Sequence, residues 1–231
     1  MEPLLDQGYR VHTLFCCVHG KSEGRGRIHH WRLSDYVSDA VSIPNELSEP
    51  AIVDGHSLGL AIAQVLIRDE CSLATVVLLS PVLPRGLSTI SLRMLWSDPI
   101  ADQQLAIAFT VGVHHVSDRV VAGLLCSKTE VTDDLRRPMI HWSDESPRFA
   151  LDLQGFPRIA PLEYDPHRMS PVMIVSGDDD QLIRPRNATE SALLYQTDVQ
   201  WISGGSHMLM YDAGAKSVSH WIGYHLKRVL N

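Results

Sequence analysis

Apolar residues along this chain gather in short continuous runs rather than in alternating ones. Ala51–Asp54, Leu73–Ser80, Pro171–Ser176 and Val199–Ile202 read as strands, and Arg10–Cys17 reads as a fifth. A continuous apolar run has both faces buried, which is the mark of a parallel sheet covered by helices on its two sides. Between the runs the apolar spacing changes to helical. Helices are predicted over Leu33–Leu47 (broken by Pro44), Leu58–Asp69, Asn187–Tyr195 and Ala215–Leu230. Leu60–Ile67 is apolar on almost every side, as in a helix buried at the centre of a domain. In the last helix Val218, Trp221, Ile222, His225 and Val229 make a single stripe. Strand alternating with helix predicts an α/β architecture.

A long insertion, about Pro81 to Ser170, separates the strand Leu73–Ser80 from the strand Pro171–Ser176. It is rich in proline and carries helical patterns over Ser97–Val111 and Ser117–Leu125. Glu145-Ser146-Pro147-Arg148 reads as the start of another helix. The expected organisation is therefore a core of residues 1–80 and 171–231 with residues 81–170 as a cap or lid. Leu83, Leu92, Met94, Leu95 and Trp96 of the insertion either line an acyl pocket or pack the cap onto the core.

Composition narrows the class without choosing the chemistry. The 231 residues suit one α/β unit, and the net charge of −7 comes from interspersed acids and bases. There is no basic stripe, so no nucleic acid is expected as a partner. The apolar runs are too short to span a bilayer, and no signal-peptide pattern opens the chain. Cys16, Cys17, Cys71 and Cys126 have neither metal-ligand nor redox spacing, so free thiols and a cytoplasmic location are expected. The paired histidines His29-His30 and His114-His115 lack the further ligands of a zinc site.

The chemistry lies at Gly55-His56-Ser57-Leu58-Gly59, directly after the apolar run Ala51-Ile52-Val53. The form is G-x-S-x-G between a strand and a helix. A serine on such a turn is held in a strained backbone conformation with its hydroxyl clear of the sheet, and the flanking glycines let strand and helix pass closely. A nucleophilic serine needs a base, and the base needs an orienting acid. Asp178, Asp179 and Asp180 lie in the loop after the strand Pro171–Ser176, where open α/β sheets build their sites. His207 lies in a glycine-flanked loop after Val199–Ile202 and can swing toward Ser57.

These residues, in the order serine, acid, histidine, resemble the α/β-hydrolase superfamily, particularly its lysophospholipase-like and monoacylglycerol-lipase-like members. In that family the acid sits in a G-x-x-D-x-x-x-x-P loop, matched by Gly177, Asp180 and Pro185, and the base in a G-x-H loop, matched by Gly205 and His207. The resemblance covers essentially the whole chain and implies Asp180, rather than Asp178 or Asp179, as the acid. It also implies the fold: a mostly parallel sheet with helices on both faces and a cap insertion.

The match departs from the family at its start. Gly8–Val11 through Val18–Ser22 aligns on the family's fourth strand and following loop, so the chain as given would lack the first three strands. Phe15 stands where an acid is usual, Val18 where the first glycine of G-H-G is usual, and Leu60 where a second glycine is frequent. His19-Gly20 reads as a loop of that fourth strand rather than as the upstream oxyanion turn. The gap leaves Arg10–Cys17 either to slide over and pair with Ala51–Asp54 or to leave the sheet compromised. Sliding would bring Lys21 N–H near the missing oxyanion loop.

The expected reaction is two-step acyl transfer. Ser57 attacks an ester carbonyl, His207 removes its proton, Asp180 orients His207, and Leu58 N–H donates to the oxyanion, with Lys21 N–H as substitute second donor. No cofactor or metal is implied. The expected partner is a small-molecule ester or lipid-like substrate, with no membrane span, and a homodimer is left open. Two alternatives stand beside this esterase reading. One is a hydrolase-fold protein with little or no turnover, in a binding role. The other is a different reaction of the same three residues, such as acyl transfer, perhydrolysis or carbon–carbon hydrolysis.

Overall fold

Four of the five apolar runs condense into one sheet in the computed structural model, which describes residues 2–17, 19–47, 49–126, 144–156, 158–211 and 214–230. The strands are β1 (Ala51–His56), β2 (Leu73–Leu79), β3 (Val172–Gly177) and β4 (Val199–Ile202), all parallel and adjacent in that order. His56 pairs with Leu79, Leu79 with Val175, and Gly177 with Ile202. The C-terminal ends of the strands are thus nearly level, and the loops leaving β1, β3 and β4 open on one rim.

The helices are α1 (Glu2–Leu5), α2 (Leu33–Glu46), α3 (Leu58–Arg68), α4 (Ser88–Ser97), α5 (Pro99–Thr110), α6 (Asp118–Leu125), α7 (Pro147–Asp152), α8 (Pro185–Leu194) and α9 (Ala215–Leu230). Because side chains alternate across a strand, the continuous apolar runs supply two cores. Val76 and Leu78 of β2 with Val172 and Ile174 of β3 pack against Leu60, Ala63 and Leu66 of α3 and Ala192 of α8. The intervening Val77, Leu79, Met173 and Val175 pack against Val218, Ile222 and Leu226 of α9. The expected stripe of the last helix is therefore the face that covers the sheet.

The all-apolar helix α3 is buried from Leu60 to Ile67 apart from Ile62. Its one polar side chain there, Gln64, has a partner at each end: its Nε2 donates to Val82 O at 3.1 Å and its Oε1 accepts from Tyr195 Oη at 3.0 Å. Asp152, also buried, accepts from the Arg32 guanidinium and from Leu33 N–H, tying the start of α2 to the end of α7.

Two expectations are corrected. Arg10–Cys17 forms no strand and does not slide onto β1; among the described residues β1 pairs with β2 alone. A strand needs neighbours for its backbone and side chains. Here Leu14 and Phe15 are 40% and 54% exposed, and Cys17 N–H donates to the Asp39 carboxylate at 2.8 Å instead of to a strand. Second, α2 is not broken at Pro44. The lost N–H falls in the last turn, where one missing hydrogen bond is tolerated. The helical pattern Ser97–Val111 appears as α5, whose start at Pro99 the Asp98 carboxylate caps by accepting from Ala101 N–H at 3.0 Å. Ser146 likewise caps α7, accepting from Arg148 and Phe149 N–H, as its sequence anticipates. Val18 lies outside the described residues.

Among the described residues no helix is long and apolar enough to cross a membrane. Cys16, Cys17 and Cys71 are free thiols. Burial and the nearby Asp39 push the Cys16 and Cys17 thiols up to about 11, so neither is a thiolate at neutral pH.

Candidate active site

Ser57 ends β1 and precedes α3 with φ 51 and ψ −111, a left-handed conformation that L side chains rarely adopt. The turn is tight because Gly55 has no side chain: a Cβ there would lie 2.9 Å from Gly59 O and 3.2 Å from Ala63 Cβ. Gly59 itself has open space where a Cβ would stand, so the close approach rests on Gly55. The requirement expected of both glycines is carried by the first. Leu58 opens α3, so its N–H is one of the donors that the helix leaves without an internal partner.

Asp180 is 1% exposed. Its Oδ1 accepts from Leu182 N–H at 2.9 Å and Ile183 N–H at 2.8 Å, and its Oδ2 faces His207 Nδ1 at 2.9 Å. The two neighbouring acids are used differently. Asp178 accepts from Gly204 N–H at 2.6 Å, and Asp179 accepts from Gln181 Nε2 at 2.9 Å. Of the three carboxylates, then, the one aimed at the histidine is Asp180.

His207 is 1% exposed, and its Nε2 lies 2.9 Å from Ser57 Oγ. A carboxylate at Nδ1 fixes the proton on that nitrogen and leaves the Nε2 lone pair for the serine hydroxyl, which donates to it. Residues separated by 150 positions in the chain are thus joined in one hydrogen-bonded line, Asp180–His207–Ser57. This arrangement can withdraw a proton from the hydroxyl and hold the resulting imidazolium against a buried carboxylate.

The loops carrying the acid and the base are stitched together. Asp178 N–H donates to Ile202 O at 3.2 Å and Asp179 N–H to Gly205 O at 3.0 Å. They pass so closely that a Cβ on Gly177 would lie 2.0 Å from Gly205 O. The insertion reaches both: Arg93 of α4 donates through Nη2 to the carbonyls of Leu182 (3.0 Å) and Gln181 (3.4 Å), and Met208 N–H donates to Leu125 O of α6 at 3.1 Å. Sequence reasoning missed Arg93; a single arginine on a helix carries no local signal that it braces a loop 88 residues away.

Lys21 is not brought to Ser57 by any described contact; it is exposed, in the turn closed by Ser22 N–H to His19 O. Cys16 and Cys17, just before this turn, pack against the buried cluster that Leu58 also packs against. His19 faces Glu145 at 3.2 Å and stacks edge-on with Tyr36, which holds the turn to α2. Of the apolar residues in the insertion, Leu83 and Met94 are buried against Leu182 and Ile183, whereas Leu92, Leu95 and Trp96 are exposed. Among the described residues no three His, Cys, Asp or Glu side chains converge as metal ligands would.

A strained serine between a parallel strand and a buried helix, with helices on both faces of the sheet, places the protein in the α/β-hydrolase superfamily. Within it the chain belongs to the Hydrolase_4 family, serine aminopeptidase, S33, whose model matches residues 1–214. Solved structures share the fold at low identity. BpoC from Mycobacterium tuberculosis, described as a non-heme bromoperoxidase, is 18% identical with a TM-score of 0.70, over 99% of this chain and 85% of that one. A thermophilic esterase from Thermogutta terrifontis is 16% identical with a TM-score of 0.67, over 93% and 78% of the two chains. A carboxylesterase structure from Nitrososphaera gargenis is 17% identical with a TM-score of 0.67, over 99% and 84%. No curated protein matches the chain. The family makes the protein an α/β-type hydrolase, and these neighbours share its fold.

Proposed function

We propose that this hydrolase cleaves carboxylic esters through an acyl-enzyme on Ser57. The observation that carries the reading is the hydrogen-bonded line from Asp180 through His207 to Ser57, with both links at 2.9 Å. His207 Nε2 takes the hydroxyl proton as Ser57 Oγ attacks the carbonyl carbon. Asp180 holds the ring and balances its charge. His207 then gives the proton to the departing alcohol, and water, activated by the same imidazole, releases the acid. Leu58 N–H donates to the oxyanion, and the turn containing Lys21 N–H is the candidate for the second donor. Loss of one such donor lowers kcat by on the order of a hundred- to a thousand-fold.

Residues 81–170 act as a cap that selects a small-molecule or lipid-like ester. The contacts of Arg93 with the acid loop and of Leu125 with Met208 support this, because they join the insertion to both loops of the site. The cytoplasm is the proposed compartment, supported by the lack of metal-ligand or redox spacing among the four cysteines.

The test is covalent labelling with a fluorophosphonate, followed by turnover of aryl esters of increasing acyl length, with Ser57→Ala as control. The expected result is one adduct on Ser57 and ester hydrolysis lost in the variant. Folded protein that takes no adduct would overturn the reading in favour of a binding role. The family's description and the bromoperoxidase neighbour add two arms to the panel: an aminoacyl amide, and acetate with hydrogen peroxide followed for peracid. Either substrate outrunning every ester would reassign the reaction.

A further inference from the structure

The residue preceding the nucleophile has a task of its own. His56 Nε2 lies 2.8 Å from the backbone oxygen of His207, and the two rings pack at a centroid distance of 5.0 Å. A carbonyl can only accept, so the proton sits on His56 Nε2 and is donated across 151 residues of chain to the base loop. The same carbonyl receives a second, longer contact of 3.5 Å from Oγ of Ser80, which is fully buried at the end of β2 with φ 52.

We propose that His56 is a positioning residue for the general base: its Nε2–H fixes the height of the His207 backbone above the sheet, so that the imidazole meets the Ser57 hydroxyl. The proposal rests on the hydrolase reading above. Asp180 sets the rotation of the His207 ring and the choice of tautomer, but a loop with two glycines, Gly204 and Gly205, one residue upstream of it has little stiffness of its own. Anchoring the carbonyl from β1 and β2 fastens the base to the strand that carries the nucleophile, so donor and acceptor move as one body. A misplacement of about 1 Å is enough to cost on the order of a hundredfold in rate. His56 suits the place because burial and the neighbouring His207 push its own proton affinity down, to about 4, so it stays neutral beside an imidazole that becomes cationic during the reaction.

The experiment compares His56→Leu with His56→Gln, whose side-chain amide offers a donor at similar reach. The expected result is a kcat for His56→Leu about ten- to a hundredfold below the parent with KM unchanged, and recovery of most of it in His56→Gln. A readout independent of turnover is the Nδ1–H proton resonance of His207, assigned by its loss in Asp180→Asn. It should exchange with water at least tenfold faster in His56→Leu and near the parent rate in His56→Gln. Equal kcat for folded Leu and Gln variants, or a His207 proton in His56→Leu as protected as in the parent, would overturn the proposal. Should the parent take no fluorophosphonate, the hydrolase reading fails, and the proton resonance still decides whether His56 holds His207.

Discussion

Gly177→Ala tests the site without touching any reacting group. Gly177 ends β3, three residues before Asp180, and a methyl there would stand 2.0 Å from Gly205 O, 2.4 Å from Gly205 C and 2.9 Å from Ser206 O. An ordinary carbon–oxygen contact is about 3.3 Å, so the loop carrying His207 must retreat by about 1.3 Å. Passed on in full, that retreat stretches the 2.9 Å link between His207 Nε2 and Ser57 Oγ beyond hydrogen-bonding range. A misplacement of that size corresponds to on the order of a hundredfold in the rate of serine acylation, or about 2.7 kcal/mol in the barrier. Overpacking adds a stability loss of about 1–3 kcal/mol. The assay is the second-order rate constant of fluorophosphonate labelling per folded molecule, with urea melts giving the folded fraction. A folded Gly177→Ala protein that labels within threefold of the parent would refute the argument that the packing of the two loops sets the serine–histidine distance.

Three further outcomes follow from single observations. Ser57→Gly, which removes the side chain from a residue at φ 51 and ψ −111, should abolish labelling yet raise the unfolding free energy by about 1 kcal/mol in urea melts, since relief of 1–3 kcal/mol of strain outweighs the added chain entropy. Tyr195→Phe leaves buried Gln64 Oε1 without its 3.0 Å donor and should cost about 1–2 kcal/mol in stability, with the labelling rate per folded molecule unchanged. Burial lowers the His56 pKa from 6.5 to about 4, so the unfolded chain binds the extra proton first. Stability is then fully present above about pH 6.5 and is lost as the pH falls toward 4, by up to about 3 kcal/mol. Melts of the parent and of His56→Gln between pH 7 and 4 should show a shallower loss in the variant, and parallel curves would sink the assignment.

Much of the protein was legible one element at a time. β2, β3 and β4 lie where continuous apolar runs place them, and α9 spans the residues its stripe marks, because burial on two faces or one leaves a local periodicity. The elbow was legible because strain and close approach demand particular residues at fixed spacing. Arg10–Cys17 shows where that logic stops. Its composition suits a strand, yet a strand is made by its neighbours, and here the Cys17 N–H goes to the Asp39 carboxylate instead.

The chain alone marks most of the sheet and its covering helices in order, and a serine, three candidate acids and a histidine on loops at one end of that sheet. Tertiary structure selects among them: Asp180 faces His207 while Asp178 and Asp179 accept from Gly204 N–H and Gln181, His56 finds its partner in the His207 carbonyl, and Ser80 and Arg93 take up supporting positions that no local pattern announces. The physical reason is range. Periodicity and turn chemistry act over a few residues, whereas hydrogen bonds spanning 27 to 151 residues of chain exist only once the sheet has brought its loops to a common rim.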